Sequence, residues 1–154
     1  QYAEVLLALG QLDDAARQVE RLARVDPDGL RTAELRARLL AARGDAPGAE
    51  KVLRDAARAA EARESAGGAD EAVQIVSALT ALGRHDAAVE VAQALAARRP
   101  EYRHVLGEAQ LAAGRVDDVA ATLDAALRDE SPGAAADARR LVSLAERSLV
   151  RAGS

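Results

Sequence analysis

Apolar side chains recur along the chain at the three- and four-residue spacing of amphipathic helices. Ala15, Val19 and Leu22, for example, fall on one face of a helical segment. Read in this way, the pattern predicts helices over residues 1–9, 12–25, 30–43, 47–64, 70–82, 86–99, 101–113, 116–129 and 134–151. Strand-forming residues do not alternate with polar ones over any useful run. We therefore predict an all-α fold without a β-sheet.

Four glycine-centred turns join the helices in pairs. Gly10, Gly44, Gly83 and Gly114 are 34, 39 and 31 residues apart. Helical hairpins at such a period are typical of an α-solenoid, in which neighbouring hairpins bury one another's apolar faces. The stretch over residues 64–68, which ends in two glycines, is the largest departure from the period. Two interpretations of it remain open: a longer loop that could serve as a hinge, or an extended helix followed by a break.

We expect one repeat domain over residues 1–154. Its repeats cover approximately 1–28, 29–66, 69–100 and 101–132, and a C-terminal capping helix covers 134–151. The capping helix carries Ala138, Leu141, Val142, Ala145 and Leu149 on one face, and Asp137, Arg139, Arg140, Glu146 and Arg147 on the other. Asp45 is a predicted N-cap, followed by a first-turn proline. Because the chain begins in a helical pattern without an initiator Met, we expect it to be a fragment of a longer protein.

These hairpins resemble the tetratricopeptide repeat, a 34-residue unit with an alanine and a large apolar residue in its second helix and a closing proline. Matching positions are Ala15, Val19 and Pro27 in the first unit, Ala88, Ala92 and Pro100 in the third, and Leu106-Gly107 in the fourth. The second unit departs most, with Arg36 at an apolar position and no closing proline. Every aromatic position of the pattern is aliphatic or polar here. The resemblance implies a right-handed superhelical α-solenoid of about four repeats.

The resemblance also implies a concave groove, lined by the first helix of each hairpin, that binds a partner protein or peptide. The residues that it places there are Glu4, Arg31, Glu34, Arg38, Asp70, Val73, Ser77, Thr80, Glu101, His104, Glu108 and Leu111. The five carboxylates favour an extended or helical peptide of some basic character. Arg31 and Arg38 could hold one carboxylate together. The alternative interpretation is that these positions are ordinary solvated helix faces.

Composition excludes several functions. The net charge of −4 and the pI near 5.3 argue against a general nucleic-acid binder. Without cysteine there is no disulfide framework, thiolate metal site or cysteine nucleophile, and this suits the cytosol and the periplasm alike. We slightly favour the cytoplasm. His85 and His104 have no second ligand at metal-binding spacing. No apolar run approaches the roughly 20 residues of a membrane helix.

We therefore predict no enzyme activity, no cofactor and no metal, with protein or peptide partners and no nucleic acid. The leading hypothesis is a bacterial-type scaffold that binds partner proteins in its groove. The second is a sensing or regulatory module of a multidomain protein, in which the same groove captures a short peptide or small molecule and the curvature of the fold transmits the event to a neighbouring output domain. Gly67 and Gly68 are a candidate hinge for this module. The third is self-association through an incompletely covered edge, such as the first helix. The sequence leaves the oligomeric state open.

Overall fold

The computed structural model describes residues 2–63, 66–129 and 134–152. Its helices are α1 (Tyr2–Ala8), α2 (Leu12–Val25), α3 (Leu30–Ala42), α4 (Ala46–Ala62), α5 (Ala66–Ala81), α6 (His85–Arg98), α7 (Arg103–Ala112), α8 (Val116–Leu127) and α9 (Ala134–Ala152). A 3₁₀ turn over Pro100–Tyr102 precedes α7. The described part of the chain contains no strand. The predicted all-α architecture is confirmed.

The helices form two compact units, residues 1–84 and residues 85–154. In the first unit α1 packs on α2, α3 packs on both α2 and α4, and α4 packs on α5. Contacts of α3 with both α1 and α5 place these three first helices side by side. In the second unit α7 packs on α6, α8 and α9. The boundary falls within the third predicted repeat, and the expectation of one continuous domain stays a prediction.

Each predicted glycine turn has the same backbone geometry. Gly10, Gly44, Gly83 and Gly114 have φ values of 72°, 85°, 69° and 73°. At the first turn, the Gly10 N–H donates to the carbonyl oxygen of Leu7, and the Gln11 N–H donates to that of Leu6. The other three turns repeat these two hydrogen bonds. This Schellman-type ending needs a left-handed residue, which glycine adopts without a steric penalty.

One residue separates each turn glycine from the start of the next helix, so the two helices of a pair are joined with almost no loop. Before α4 the joining residue is Asp45, whose Oδ1 accepts a hydrogen bond of 2.9 Å from the N–H of Gly48. The predicted N-cap is therefore confirmed. The side chains before α2 and α8 make no such bond. There the turn geometry itself sets the start of the helix.

Small side chains dominate the core. Ala15, Ala37, Ala49, Ala88 and Ala92 are at most 1% exposed, and they occupy the helix-facing positions that the repeat pattern predicts. The largest fully buried residues are Leu53, Ile75, Leu79, Leu141 and Thr32. Where methyl groups meet, the helix backbones approach closely. The dispersion contacts made there compensate for the small apolar area that each alanine buries.

Gly67 and Gly68 lie in the first turn of α5, so the interpretation of a long loop at this place is wrong. The 39-residue spacing between Gly44 and Gly83 reflects long helices, since α4 has 17 residues and α5 has 16. Gly68 is buried against α4, and a Cβ atom there would overlap the carbonyl oxygen of Ala60. The glycine permits close packing of two helices. Glu64 and Ser65 lie outside the described residues.

Two further predicted segments differ in detail. Residues 100–102 form a 3₁₀ turn, so α7 begins at Arg103 and not at residue 101; such turns are common at helix starts. In α9, Ala138 and Leu141 are buried, whereas Val142 is 38% exposed. The predicted apolar face is therefore only partly covered. The side chains of Asp137, Ala145, Arg147 and Leu149 lie outside the described part of the structure.

A recurring ion pair joins successive hairpins. An arginine beside the turn glycine reaches a carboxylate in the first turn or two of the preceding second helix, 30, 34 and 29 residues earlier. The pairs are Arg43–Asp13 at 3.2 Å, Arg84–Glu50 at 2.7 Å and Arg115–Asp86 at 2.6 Å. Each lies within one unit. Such solvent-accessible pairs contribute about 0–1 kcal/mol each, so they favour the packing register more than they stabilise the fold.

Replacing Gly68 by alanine should destabilise the protein by about 1–3 kcal/mol, because the added methyl group forces α5 away from α4. The control is Gly67→Ala one residue earlier, at an exposed position of the same helix, where alanine should be neutral or stabilise by roughly 0.5–1 kcal/mol. Urea unfolding followed by far-UV circular dichroism measures both. Equal stability of the two variants would contradict the packing role of Gly68.

Candidate functional site

Eight of the twelve predicted groove residues lie on the adjacent helices α1, α3 and α5 of the first unit. They are Glu4, Arg31, Glu34, Arg38, Asp70, Val73, Ser77 and Thr80. The remaining four, Glu101, His104, Glu108 and Leu111, lie on the 3₁₀ turn and α7 of the second unit. We call the twelve residues the first-helix stripe and describe its two parts separately.

Charged residues of α1 and α3 form one ion-pair network. Glu4 Oε2 lies 2.5 Å from Arg31 Nη2, and Glu4 Oε1 lies 3.4 Å from Arg38 Nη1. Arg31 also lies 3.7 Å from Glu34, whose side chain is 16% exposed. Arg31 and Arg38 therefore do hold one carboxylate, and it is supplied by the chain itself. The hydrogen bond from Arg31 holds the pKa of Glu4 below its ordinary value.

The α5 part of the stripe presents short side chains. Val73 is half-buried, and the Thr80 hydroxyl donates a 2.9 Å hydrogen bond to the carbonyl oxygen of Val76 within the same helix. Asp70 and Ser77 are exposed. A partner that approaches α5 would therefore meet a carboxylate and a hydroxyl separated by two helical turns.

In the second unit the stripe carries one imidazole beside two carboxylates. His104 Nδ1 lies 3.1 Å from the carbonyl oxygen of Glu101, which can only accept, so Nδ1 is the donor in this contact. The imidazole is stacked on Tyr102, with 6.2 Å between ring centroids and 22° between ring planes. Glu108 is exposed and Leu111 is half-buried on α7. This part of the stripe offers acidic groups beside an aromatic pair.

Sequence reasoning missed a second charged surface, on the outer face of α4. Glu50 pairs with Arg54 at 3.0 Å and Asp55 with Lys51 at 2.9 Å, around a shallow hollow of about 360 Å³. The hydrogen bond from Lys51 lowers the pKa of Asp55. Both pairs have the i, i+4 spacing that favours ion pairs on a helix, and this was the available signal. Because the charges are mutually paired, this surface is a solvated helix face.

Within the ranges that the structure describes, no group of three His, Asp or Glu side chains is placed to hold a metal ion. Across the same described residues, no helix combines the length and the apolar character needed to cross a membrane.

The paired helices, the recurring glycine turns and the alanine-rich contacts define a helical-repeat protein of the α-solenoid class. A family model described as tetratricopeptide repeat matches residues 3–69 and 73–135. The first match spans α1–α4 and the second spans most of α5 through α8, so each covers two helical hairpins. The chain belongs to the tetratricopeptide repeat family. No curated protein matches its sequence.

Tetratricopeptide repeats are generally protein–protein interaction modules, and the family is typically non-catalytic. The resemblance drawn from the glycine turns and the alanine positions is therefore confirmed at the level of the family. The assignment of individual stripe residues to a binding site stays a prediction.

Replacing Glu4 by glutamine should destabilise the first unit at neutral pH, because Arg31 and Arg38 lose their shared carboxylate. A carboxyl group whose pKa is lowered by folding stabilises the protein above its unfolded pKa, and this contribution disappears as pH falls through the folded pKa. The difference between wild type and Glu4→Gln should therefore shrink as pH falls below about 4.

Urea unfolding at neutral pH and at about pH 3 measures this difference. Glu20→Gln, at an exposed position of α2 for which no ion pair is seen among the described residues, is the matched control. It should show no comparable pH dependence. A destabilisation by Glu4→Gln that persists undiminished at the lower pH would contradict an electrostatic role for the carboxylate.

Proposed function

We propose that the chain is an interaction scaffold that binds a partner protein or peptide along its first-helix stripe. The observation that carries the proposal is the side-by-side arrangement of α1, α3 and α5, which brings stripe residues of three successive hairpins onto neighbouring helices. Adjacent helices of this kind suit a peptide that makes small contacts with several repeats.

Charge supports a partner of partly basic character. On α1 and α3 the arginines and glutamates neutralise one another, so they contribute little net attraction. The exposed carboxylates of Glu101 and Glu108 lie on the 3₁₀ turn and on α7. Lysine or arginine side chains of the partner would pair with these two. Because tyrosines at positions 2 and 102 are the only aromatic residues, we expect modest affinity per repeat.

We also propose that this segment is not itself an enzyme, in keeping with its family. The sensing alternative had Gly67 and Gly68 as a candidate hinge. Both residues lie in α5, and Gly68 is packed against α4. No observation now favours that alternative over the scaffold.

The test compares capture of proteins from a lysate by the native chain and by the double variant Ser77→Arg/Glu108→Lys. Both positions are exposed, so the helices should remain intact. Glu34 is unsuitable for this purpose, because it is largely buried beside Arg31 and a lysine there would disturb the network. Mass spectrometry identifies a retained partner, and isothermal titration calorimetry with that partner should show at least tenfold weaker binding to the double variant.

The matched control is Glu20→Lys/Ala59→Arg, which makes the same change in charge at exposed positions of α2 and α4. It should bind the partner as the native chain does. If both double variants bind equally well, the first-helix stripe is not the binding site. If both lose binding equally, the effect is one of overall charge and the proposal also fails.

A further inference from the structure

A cleft of about 480 Å³ lies between α6 and α8 in the second unit, above α7. Both helices pack on α7, and they face each other across the cleft with alanines. Leu106 and Gln110 of α7 form its floor; Ala96 and Ala97 form one wall, and Ala121 and Ala125 form the other. Because a methyl group cannot span the gap between two helices, the cleft stays open.

Gln110 supplies a hydrogen-bonding group in this apolar floor. The residue is only 7% exposed, and the Thr122 hydroxyl lies 2.9 Å from its side-chain oxygen and 2.9 Å from the carbonyl oxygen of Asp118, two acceptors that share its single proton. Its NH₂ group has no hydrogen-bond partner among the residues that the structure describes. Within those same residues, the only buried polar atom sealed from solvent without a partner is His85 Nδ1. The Gln110 amide therefore opens onto the cleft that Gln110 lines.

The charges around the cleft are already paired. Arg103 lies 2.5 Å from Asp129, and both side chains are at most 20% exposed. Arg115 lies 2.6 Å from Asp86 and 4.0 Å from Asp118. A charged ligand would have to displace one of these carboxylates or arginines. An uncharged ligand would leave every pair intact.

The unused hydrogen-bonding groups of the Gln110 amide indicate which ligand would complement the cleft. A primary amide has two N–H donors and two acceptor lone pairs. The Thr122 hydroxyl, which it shares with Asp118, lies against one of these lone pairs. Another amide can accept from the NH₂ group and donate to the remaining lone pair. Along α6 the cleft runs from Val89 to Ala97, about 12 Å at 1.5 Å per residue. This length accommodates three or four residues of extended polypeptide at about 3.3 Å each.

We propose that the α6–α8 cleft is a second binding site, which takes a short, uncharged peptide segment of a partner protein and pairs one of its backbone amides with Gln110. The site is independent of the first-helix stripe, since Leu106 and Gln110 face the cleft whereas Glu108 belongs to the stripe. Small or aliphatic side chains of the segment lie between the alanine walls. Failure of binding at the stripe would leave this proposal intact.

The experiment titrates the ¹⁵N-labelled chain with the blocked tetrapeptide acetyl-Leu-Ala-Leu-Ala-amide and follows amide resonances by NMR. Saturable shifts are expected for the Gln110 side-chain NH₂ and for the backbone amides of Ala97 and Ala121. Gln110→Leu should weaken binding about fivefold, the effect of one neutral hydrogen bond. Ala121→Leu should abolish binding, because the larger side chain fills the cleft from an exposed position.

The matched control is Ala120→Leu, the exposed neighbour of Ala121 that does not line the cleft. It should bind the peptide as the native chain does. Circular dichroism verifies that each variant is folded; if Gln110→Leu is not, the comparison of Ala121→Leu with Ala120→Leu decides. Absence of saturable shifts, or equal binding by these two alanine variants, would overturn the proposal. Benzamide, which has a carboxamide group but no peptide chain, is titrated in the same way. If it bound as tightly as the tetrapeptide, the cleft would be a site for a carboxamide and not for a peptide, and the proposal would be overturned.

Discussion

A core made mostly of alanine is cohesive only where its helices approach closely, because each methyl group buries little apolar area by itself. This requirement explains why both buried helix glycines lie at helix contacts. Gly68 brings α5 against α4, and Gly107 brings α7 against α9, where a Cβ atom would overlap the side chain of Leu141. The positive-φ glycines serve the same end, since they reverse the chain with almost no loop and hold the paired helices together.

Close packing of small side chains also shapes the surface. Short apolar residues leave long arginine and glutamate side chains free to reach neighbouring helices, and many of the described ion pairs cross from one helix to another. The Glu4–Arg31–Arg38 network joins α1 to α3, and the pairs Arg43–Asp13 and Arg84–Glu50 join hairpins. Individually these exposed pairs are weak. Repeated at each junction, they disfavour a shifted register, in which these pairs would be broken.

Local chemistry made much of the fold predictable. The glycine turns, the Asp45 cap and the apolar periodicity depend on residues a few positions apart, so their consequences can be derived from the sequence alone. The pairing of Glu4 with Arg31 and Arg38 depends on helices that are distant in sequence and meet only in the folded chain. The residues of the first-helix stripe could therefore be proposed from the sequence, whereas the ion pairs that neutralise its charges could not. Gly68 was misread for the same reason, since its contact with Ala60 lies across two helices.

The two surfaces differ in how they would discriminate among partners. The carboxylates of Glu101 and Glu108 on the first-helix stripe are solvent-exposed, so they would attract a basic partner over a distance but distinguish poorly between similar sequences, and salt would weaken this attraction. The cleft has no unpaired charge around it, and Gln110 is buried. A ligand there must satisfy the amide or leave it without a partner, and an unsatisfied buried polar group costs more than a hydrogen bond gains. With both proposed sites in use, selectivity in a protein with so few aromatic anchors would depend more on the one buried amide than on the exposed carboxylates.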